Sequence, residues 1–211
     1  MSGSVTAVVR ELCEPHWPTA LVCASSVPLG RSSATHTEAG QRAALHALSL
    51  AGCDVAALPP RTGRRPAWPI GFVGSIAHDD ALAVAVAART SMARTVGIDV
   101  EHHDALGAGD AYLVLSGEEL EFVSDDPSAA TLLWSAKESA YKAWCTGLDA
   151  DLDRVDPRDI YVEAFDSPAL QVRARGALSA RVASVGPLHG RWLRIGDLVI
   201  TLVWKLEPAA S

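Results

Sequence analysis

Cysteine is scarce and scattered. Cys13, Cys23, Cys53 and Cys145 are the only four in 211 residues, and no Cys-x-x-Cys pair occurs. A structural zinc site or a dithiol redox motif is therefore not expected, and reduced thiols in a cytosolic protein are the simplest reading. Positive charge is also in deficit: 18 Lys and Arg against 25 Asp and Glu leave a net charge of −7. Nucleic-acid-binding domains are ordinarily basic, so this balance argues against one, while leaving room for a local basic pocket. Long apolar runs are missing. The longest, Ala81 to Ala88, falls far short of the ~20 residues that a membrane-spanning helix needs. Near the N-terminus, Arg10 and Glu11 interrupt the stretch that begins at Val5, and no signal-peptide pattern is visible. Tandem repeats and low-complexity tracts are lacking too. Neither a membrane nor a nucleic acid is an expected partner, and the expected compartment is the cytoplasm.

What is present is a chain able to build a core. It is 49% hydrophobic and 20% charged, long enough for one domain or two small ones. Thr37 to Leu50 reads as a helix rich in Ala and Leu, closed by Ala51-Gly52. Leu58 to Trp68 is a loop with Pro59, Pro60 and Pro66 interleaved with Arg61, Arg64 and Arg65. Phe72 to Ile76 is a short strand that ends near His78. From Ala81 to Ala88, Leu or Val alternates with Ala, the pattern of a strand buried on both faces. After a turn at Thr90 to Arg94, Val96 to Glu101 is the next strand, expected antiparallel to it. Ser116-Gly117-Glu118-Glu119 is a capping box that opens a helix to about Val123. Following a break at Asp125 to Ser128, a longer helix runs from about Ala129 to Trp144, ended by Thr146-Gly147. Beyond Asp159 the pattern is β, with Gly196-Asp197 as a hairpin turn. Short strands with one or two helices per half give an α+β fold.

Two segments concentrate chemistry. In the strand Gly97-Ile98-Asp99-Val100-Glu101, side chains alternate, so Ile98 and Val100 face one way and the two carboxylates the other. In the helix Trp134-Ser135-Ala136-Lys137-Glu138-Ser139-Ala140-Tyr141-Lys142, Glu138 shares a face with Trp134 and Lys142, four residues to either side. Two carboxylates on a strand and one on a helix suit a hard, oxygen-seeking cation such as Mg²⁺.

These motifs carry a resemblance. Gly-Ile-Asp-Val-Glu followed by Trp-x-x-Lys-Glu-Ser-x-x-Lys resembles the signature pair of the 4′-phosphopantetheinyl transferases. Pro66-Ala67-Trp68-Pro69-Ile70-Gly71 through Gly74-Ser75-Ile76-Ala77-His78 resembles a segment of the larger transferases that serve siderophore, peptide and polyketide synthases. The resemblance covers about Pro66 to Trp144. It implies two similar α+β subdomains packed as a pseudo-dimer, residues 1–103 and 104–211, with the active site at their interface. It implies transfer of phosphopantetheine from coenzyme A to a serine of an apo acyl or peptidyl carrier protein, with Mg²⁺ (or Mn²⁺ in its place), by an enzyme expected to be monomeric.

The resemblance also assigns roles. Asp99, Glu101 and Glu138 hold the metal. Glu138 is in addition the candidate base, and Lys142 meets the pyrophosphate and the leaving group. Lys137 reaches the cofactor phosphates. His78, Arg64 and Arg65 lie against the 3′-phosphate, and Ser75 is a further cofactor-binding residue. Gln41 stands where the family has arginine, which leaves Arg42, one residue on, as the substitute and Arg31 as another candidate. The carrier is expected to dock near Tyr112-Leu113-Val114-Leu115, a cluster that reads equally well as core. His102-His103 read as loop residues and not as a metal pair. Two other readings remain open: a Mg²⁺-dependent phosphoesterase built on the same carboxylates, and a non-catalytic coenzyme A or carrier-binding module.

Overall fold

Two antiparallel sheets organise the protein. The computed structural model describes residues 22–28, 33–61, 63, 65–80, 82–124, 126–164 and 169–207. Strand β1 (Val22–Pro28) is followed by helix α1 (Ser33–Leu50) and by β2 (Phe72–His78) and β3 (Leu82–Arg89). These strands form one sheet in the order β1-β3-β2. Next come β4 (Ala93–His102), α2 (Ala108–Val114), α3 (Gly117–Val123) and α4 (Pro127–Leu148). A 3-10 turn (Pro157–Asp159) leads into β5 (Ile160–Ala164), β6 (Ala169–Ala174), α5 (Gly176–Arg181), β7 (Leu188–Ile195) and β8 (Leu198–Leu206). The second sheet has the order β4-β8-β7-β6-β5. The architecture is α+β, as the sequence implies.

The strand alternation explains how the layers stack. On β3, Ala85 and Ala87 pack against Ala43, Ala44, Ala47 and Leu48 of α1. On its other face, Leu82, Val84 and Val86 meet Ile98, Val100, Ile200 and Leu202 of the second sheet. The far face of that sheet receives α4, whose Leu133, Ala136, Ala140 and Trp144 belong to a third cluster with Val203. The order is thus helix, sheet, sheet, helix, with β3 buried on both faces, as its sequence indicates.

Three local expectations change. First, β4 does not pair with β3. It hydrogen-bonds to β8, with Asp99 opposite Thr201, because its apolar face packs flat on β3 across the sheet interface. The sequence division after residue 103 places β4 with the first half, whereas its hydrogen bonds lie in the second sheet. Second, α4 continues past Thr146-Gly147 and ends at Asp149, which takes the left-handed conformation at φ 50°. Gly147 stays helical, close to Thr95 and Val185. Third, Tyr112 to Val114 lie in a short helix, α2, that has no cap signal: its N-cap Gly107 makes no side-chain hydrogen bond. The capping box at Ser116 and Glu119 forms as expected, and so does the β7–β8 hairpin.

Gly97 sets how closely α4 approaches β4. A Cβ there would collide with the carbonyl oxygen of Ser139 and lie 2.9 Å from the nitrogen of Ala143. Thr95 reinforces the contact, its hydroxyl donating to Ala143 O at 2.5 Å. The strand bearing Asp99 and the helix bearing Glu138 therefore touch backbone to backbone.

Candidate active site

The close approach of β4 and α4 places Asp99 against the helix. Asp99 is 5% exposed. Its Oδ2 accepts from Ser135 Oγ at 2.9 Å, and its Oδ1 accepts from Lys142 Nζ at 2.5 Å. Lys142 thus reaches across to the strand carboxylate instead of pairing with Glu138 on its own helix. Glu138 is partly buried and lines a cavity of about 240 Å³ with Trp134, Tyr141, Leu152, Pro157 and Ile160. Burial pushes its carboxyl above the ordinary range, Lys142 pulls the other way, and Asp99 adds to the rise.

Glu101 reports most clearly on the local field. Its carboxyl is raised from the ordinary 4.5 to about 7, first by burial and then by Asp99, with Glu138 and Asp79 adding repulsion and Lys142 alone opposing. Four carboxylates therefore act on a region served by one lysine, and an added cation would be stabilised there. The donor set is all oxygen, which suits Mg²⁺ or Mn²⁺. Among the described residues, however, Asp99, Glu101 and Glu138 do not bring ligand atoms within 4.8 Å of one another. The group that does is His102, His103 and Asp104, where His102 Nδ1 and Asp104 Oδ1 share a 2.5 Å hydrogen bond.

Basic and polar groups flank the carboxylates. Ser75 is 4% exposed and shares a cavity of about 270 Å³ with Arg65, Tyr141 and Lys142. A neighbouring cavity of about 310 Å³ is lined by His36, Gln41, Arg61 and His78, with the two imidazoles edge to face at 5.2 Å.

Comparison with known proteins matches these motifs. Residues 95–203 fit the model of the 4′-phosphopantetheinyl transferase superfamily, and residues 38–88 that of the 4′-phosphopantetheinyl transferase N-terminal domain. The chain is 34% identical over 187 residues to the 4′-phosphopantetheinyl transferase Svp of Streptomyces mobaraensis, covering 81% of this chain and 70% of that protein. It is 32% identical over 185 residues to enterobactin synthase component D of Salmonella typhi, covering 82% and 73%. A solved apo-ACPS structure from Chronobacterium ammoiniagenes overlaps 54% of this chain and 96% of its own, at 22% identity and a TM-score of 0.45. The chain belongs to the 4′-phosphopantetheinyl transferase superfamily.

Within this transferase several sequence assignments shift. Lys137, expected at the cofactor phosphates, is 1% exposed. Its ammonium donates to Glu119 Oε2 at 2.7 Å and to the carbonyls of Val114 and Pro157, each at 3.0 Å. All three of its donors are engaged inside the protein, and the residue also lines the cavity beside Glu138. Arg65 is bound to Asp149 and Asp151, each at 3.1 Å, in the cavity that holds Ser75 and Lys142. Arg64 and Arg31 lie outside the described residues. Arg42 is exposed, and its neighbour Gln41 lines the His78 cavity. One residue is about 100° of helix rotation, so the substitute arginine points elsewhere. The cluster from Tyr112 to Leu115 divides: Tyr112 and Leu113 are 64% and 68% exposed, while Leu115 is 1% exposed and belongs to the core.

Residues missed by the sequence reading complete the picture. Arg61 and His36 join His78. The Pro-rich loop held the signal for Arg61, but His36 had none. Asp79 adds charge near Glu101. Phe122 on α3 is 61% exposed, a third large apolar side chain at the surface of this part of the chain. Glu119 was read as a cap, and it is also the buried partner of Lys137. Among the described residues no helix is long and apolar enough to cross a membrane.

Proposed function

We propose that this chain converts apo carrier proteins to their holo form, transferring 4′-phosphopantetheine from coenzyme A to a serine and releasing adenosine 3′,5′-bisphosphate. The observation that carries the reading is the meeting of Asp99 and Lys142 across β4 and α4, with both groups close enough to shift the ionisation of Glu101 and of Glu138. Phosphoryl transfer asks mainly for positioning and charge neutralisation, and this arrangement supplies both. A Mg²⁺ ion at Asp99, Glu101 and Glu138, with Mn²⁺ as a substitute, would polarise the pyrophosphate and orient it.

The serine oxygen forms a bond to the phosphorus that bears the pantetheine arm, and the bridging P–O bond breaks. The bisphosphate leaves with that electron pair, and Lys142 supplies positive charge toward it. The serine proton goes to the Glu138 carboxylate, directly or through one water; burial makes this group more basic than an ordinary glutamate. The cavity beside Glu138, walled by Trp134, Tyr141 and Leu152, suits the slender pantetheine arm. His78, with Arg61 and His36 beside it, suits the 3′-phosphate, a group that arginine's planar fork binds well. Ser75 and Arg65 line one cavity together with Lys142. The exposed Tyr112, Leu113 and Phe122 suit an apolar helix face on the carrier. Since the enzyme and most carriers are acidic, such local contact must outweigh long-range repulsion. In this reading two α+β units meet at the site as a pseudo-dimer, and the enzyme works as a monomer in the cytoplasm.

Mass spectrometry of apo carrier proteins incubated with coenzyme A, Mg²⁺ and the enzyme tests the proposal. A phosphopantetheine mass increase on a serine is the expected result. Bisphosphate release without a carrier would favour a phosphoesterase, and coenzyme A binding without turnover a non-catalytic module.

A further inference from the structure

Behind Asp99 lies a set of buried hydroxyls to which the transfer reaction assigns no role. Ser135 and Ser139 stand one turn apart on α4, and Thr201 sits on β8 opposite Asp99. All three are 0% exposed. Ser135 Oγ donates to Asp99 Oδ2 at 2.9 Å and lies 2.9 Å from Thr201 Oγ1. Thr201 Oγ1 lies 2.8 Å from Ser139 Oγ, which donates to the carbonyl of Thr201 at 3.0 Å. The buried residues of α4 are otherwise often small and apolar, such as Ala136, Ala140 and Ala143, so packing alone would be satisfied by alanine at both serines.

Proton counting fixes the two ends of this chain. An ionised carboxylate only accepts, so the single proton of Ser135 is committed to Asp99. The oxygen of Ser135 is left to accept from Thr201 Oγ1, 2.9 Å away, while Ser139 commits its own proton to the Thr201 carbonyl. Two O–H dipoles, those of Thr201 and Ser135, can then run head to tail toward Asp99, the first polarising the second. Lys142 engages Oδ1, so both carboxylate oxygens are held, and rotation of the carboxylate would break a buried hydrogen bond.

We propose that Ser135 and Thr201, backed by Ser139, are positioning residues that orient the Asp99 carboxylate for a divalent cation. The proposal rests on the transferase reading above, in which Asp99 is a metal ligand. Removing the partner that orients a ligand typically costs about 10–100-fold in metal affinity.

The test is Mn²⁺ binding to the metal-free protein, followed by electron paramagnetic resonance, alongside thermal unfolding and coenzyme A binding without metal. Ser135→Ala and Thr201→Val should weaken Mn²⁺ binding by about 10-fold or more, while Thr201→Ser, which keeps the hydroxyl, stays close to wild type. Valine preserves the shape of threonine, so the Thr201 pair isolates the hydroxyl even if Ser135→Ala does not fold. Asp99→Ala serves as the reference. If it abolishes Mn²⁺ binding while the folded Ser135→Ala and Thr201→Val proteins bind as wild type does, the positioning role is overturned and the metal site stands. If Asp99→Ala binds Mn²⁺ normally, the metal reading falls and the positioning role with it.

Discussion

Glu119 and Lys137 form an ion pair sealed from water, 2.7 Å apart with side chains 3% and 1% exposed. The pair and its hydrogen bonds join five elements. Glu119 Oε1 accepts from the backbone of Val162 on β5, and Oε2 accepts from the backbone of Ser116 at the start of α3. Lys137 ties α4 to the end of α2 and to the 3-10 turn. The residue immediately before Glu138 thus fixes the helix that carries it. Desolvation pulls the Lys137 ammonium below its ordinary range, and Glu119 opposes that shift.

Breaking this pair from one side should be costly. Lys137→Met leaves Glu119 buried without its counter-charge, a change that typically costs about 3–5 kcal/mol. The double variant Glu119→Gln, Lys137→Met should lose less than the sum of the single changes, because no uncompensated charge remains. Urea denaturation of the four proteins measures this. A Lys137→Met protein of wild-type stability with impaired coenzyme A binding would return Lys137 to the phosphates.

Gly97 should be intolerant of a side chain. Gly97→Ala changes no charge, yet its Cβ meets the backbone of Ser139 and Ala143, and overpacking of this kind costs about 1–3 kcal/mol or more. The unfolding midpoint should fall. Mn²⁺ affinity should fall too, since α4 must move off the strand that bears Asp99. Retention of both would show that the helix shifts without disturbing the site.

Much of this arrangement was legible in the sequence, and for identifiable reasons. Period-2 alternation assigned Ile98 and Val100 to one face of β4 and Asp99 to the other, because pleating leaves no other choice. It could not name the neighbour of β4: strands with two apolar partners available look alike in isolation, and here stacking on β3 and pairing with β8 divide the roles. The buried partner of Lys137 was not legible because it is on another helix, and no local spacing marks an ion pair formed only when α3 packs on α4. The hydroxyls of Ser135 and Thr201 were equally silent, since a buried serine next to alanines reads as a small residue. The Tyr112–Leu115 cluster was ambiguous because it contains both surface and core residues.

The ionisation of Glu101 gives a pH dependence with a definite sign. Its folded-state carboxyl is raised from 4.5 to about 7, so between those values the folded protein keeps a proton that the unfolded chain has released. Stability of the metal-free protein should therefore decline as pH rises through that window and level off above it. Mn²⁺ affinity should rise over the same range, because the ligand must be ionised to bind. Glu101→Gln should flatten both slopes. A metal-free stability curve that is flat from pH 4.5 to 7 in the wild type would show that the carboxylates do not crowd one another as described.

Glu138 allows the ligand and base roles to be separated. Glu138→Gln keeps the shape and one acceptor oxygen but removes charge and basicity. If the carboxylate serves chiefly as a ligand, higher Mg²⁺ or Mn²⁺ should restore most of the rate, because the lost term is metal affinity. If it takes the serine proton, a deficit of about 10²–10⁴-fold should persist at saturating metal. The geometry favours a mixture of the two. Glu138 lies near enough to Asp99 for the charges to interact, and burial raises its carboxyl, so it can act on the cation and also accept a proton. The expected result is partial rescue by metal with a residual deficit that raised pH does not remove. Carrier modification measured against metal concentration at several pH values separates the two terms. Because Lys142 pairs with Asp99 and not with Glu138, the glutamine variant should leave that ion pair intact and unfold close to the wild-type midpoint. Wild-type turnover in Glu138→Gln without added metal would remove Glu138 from both roles.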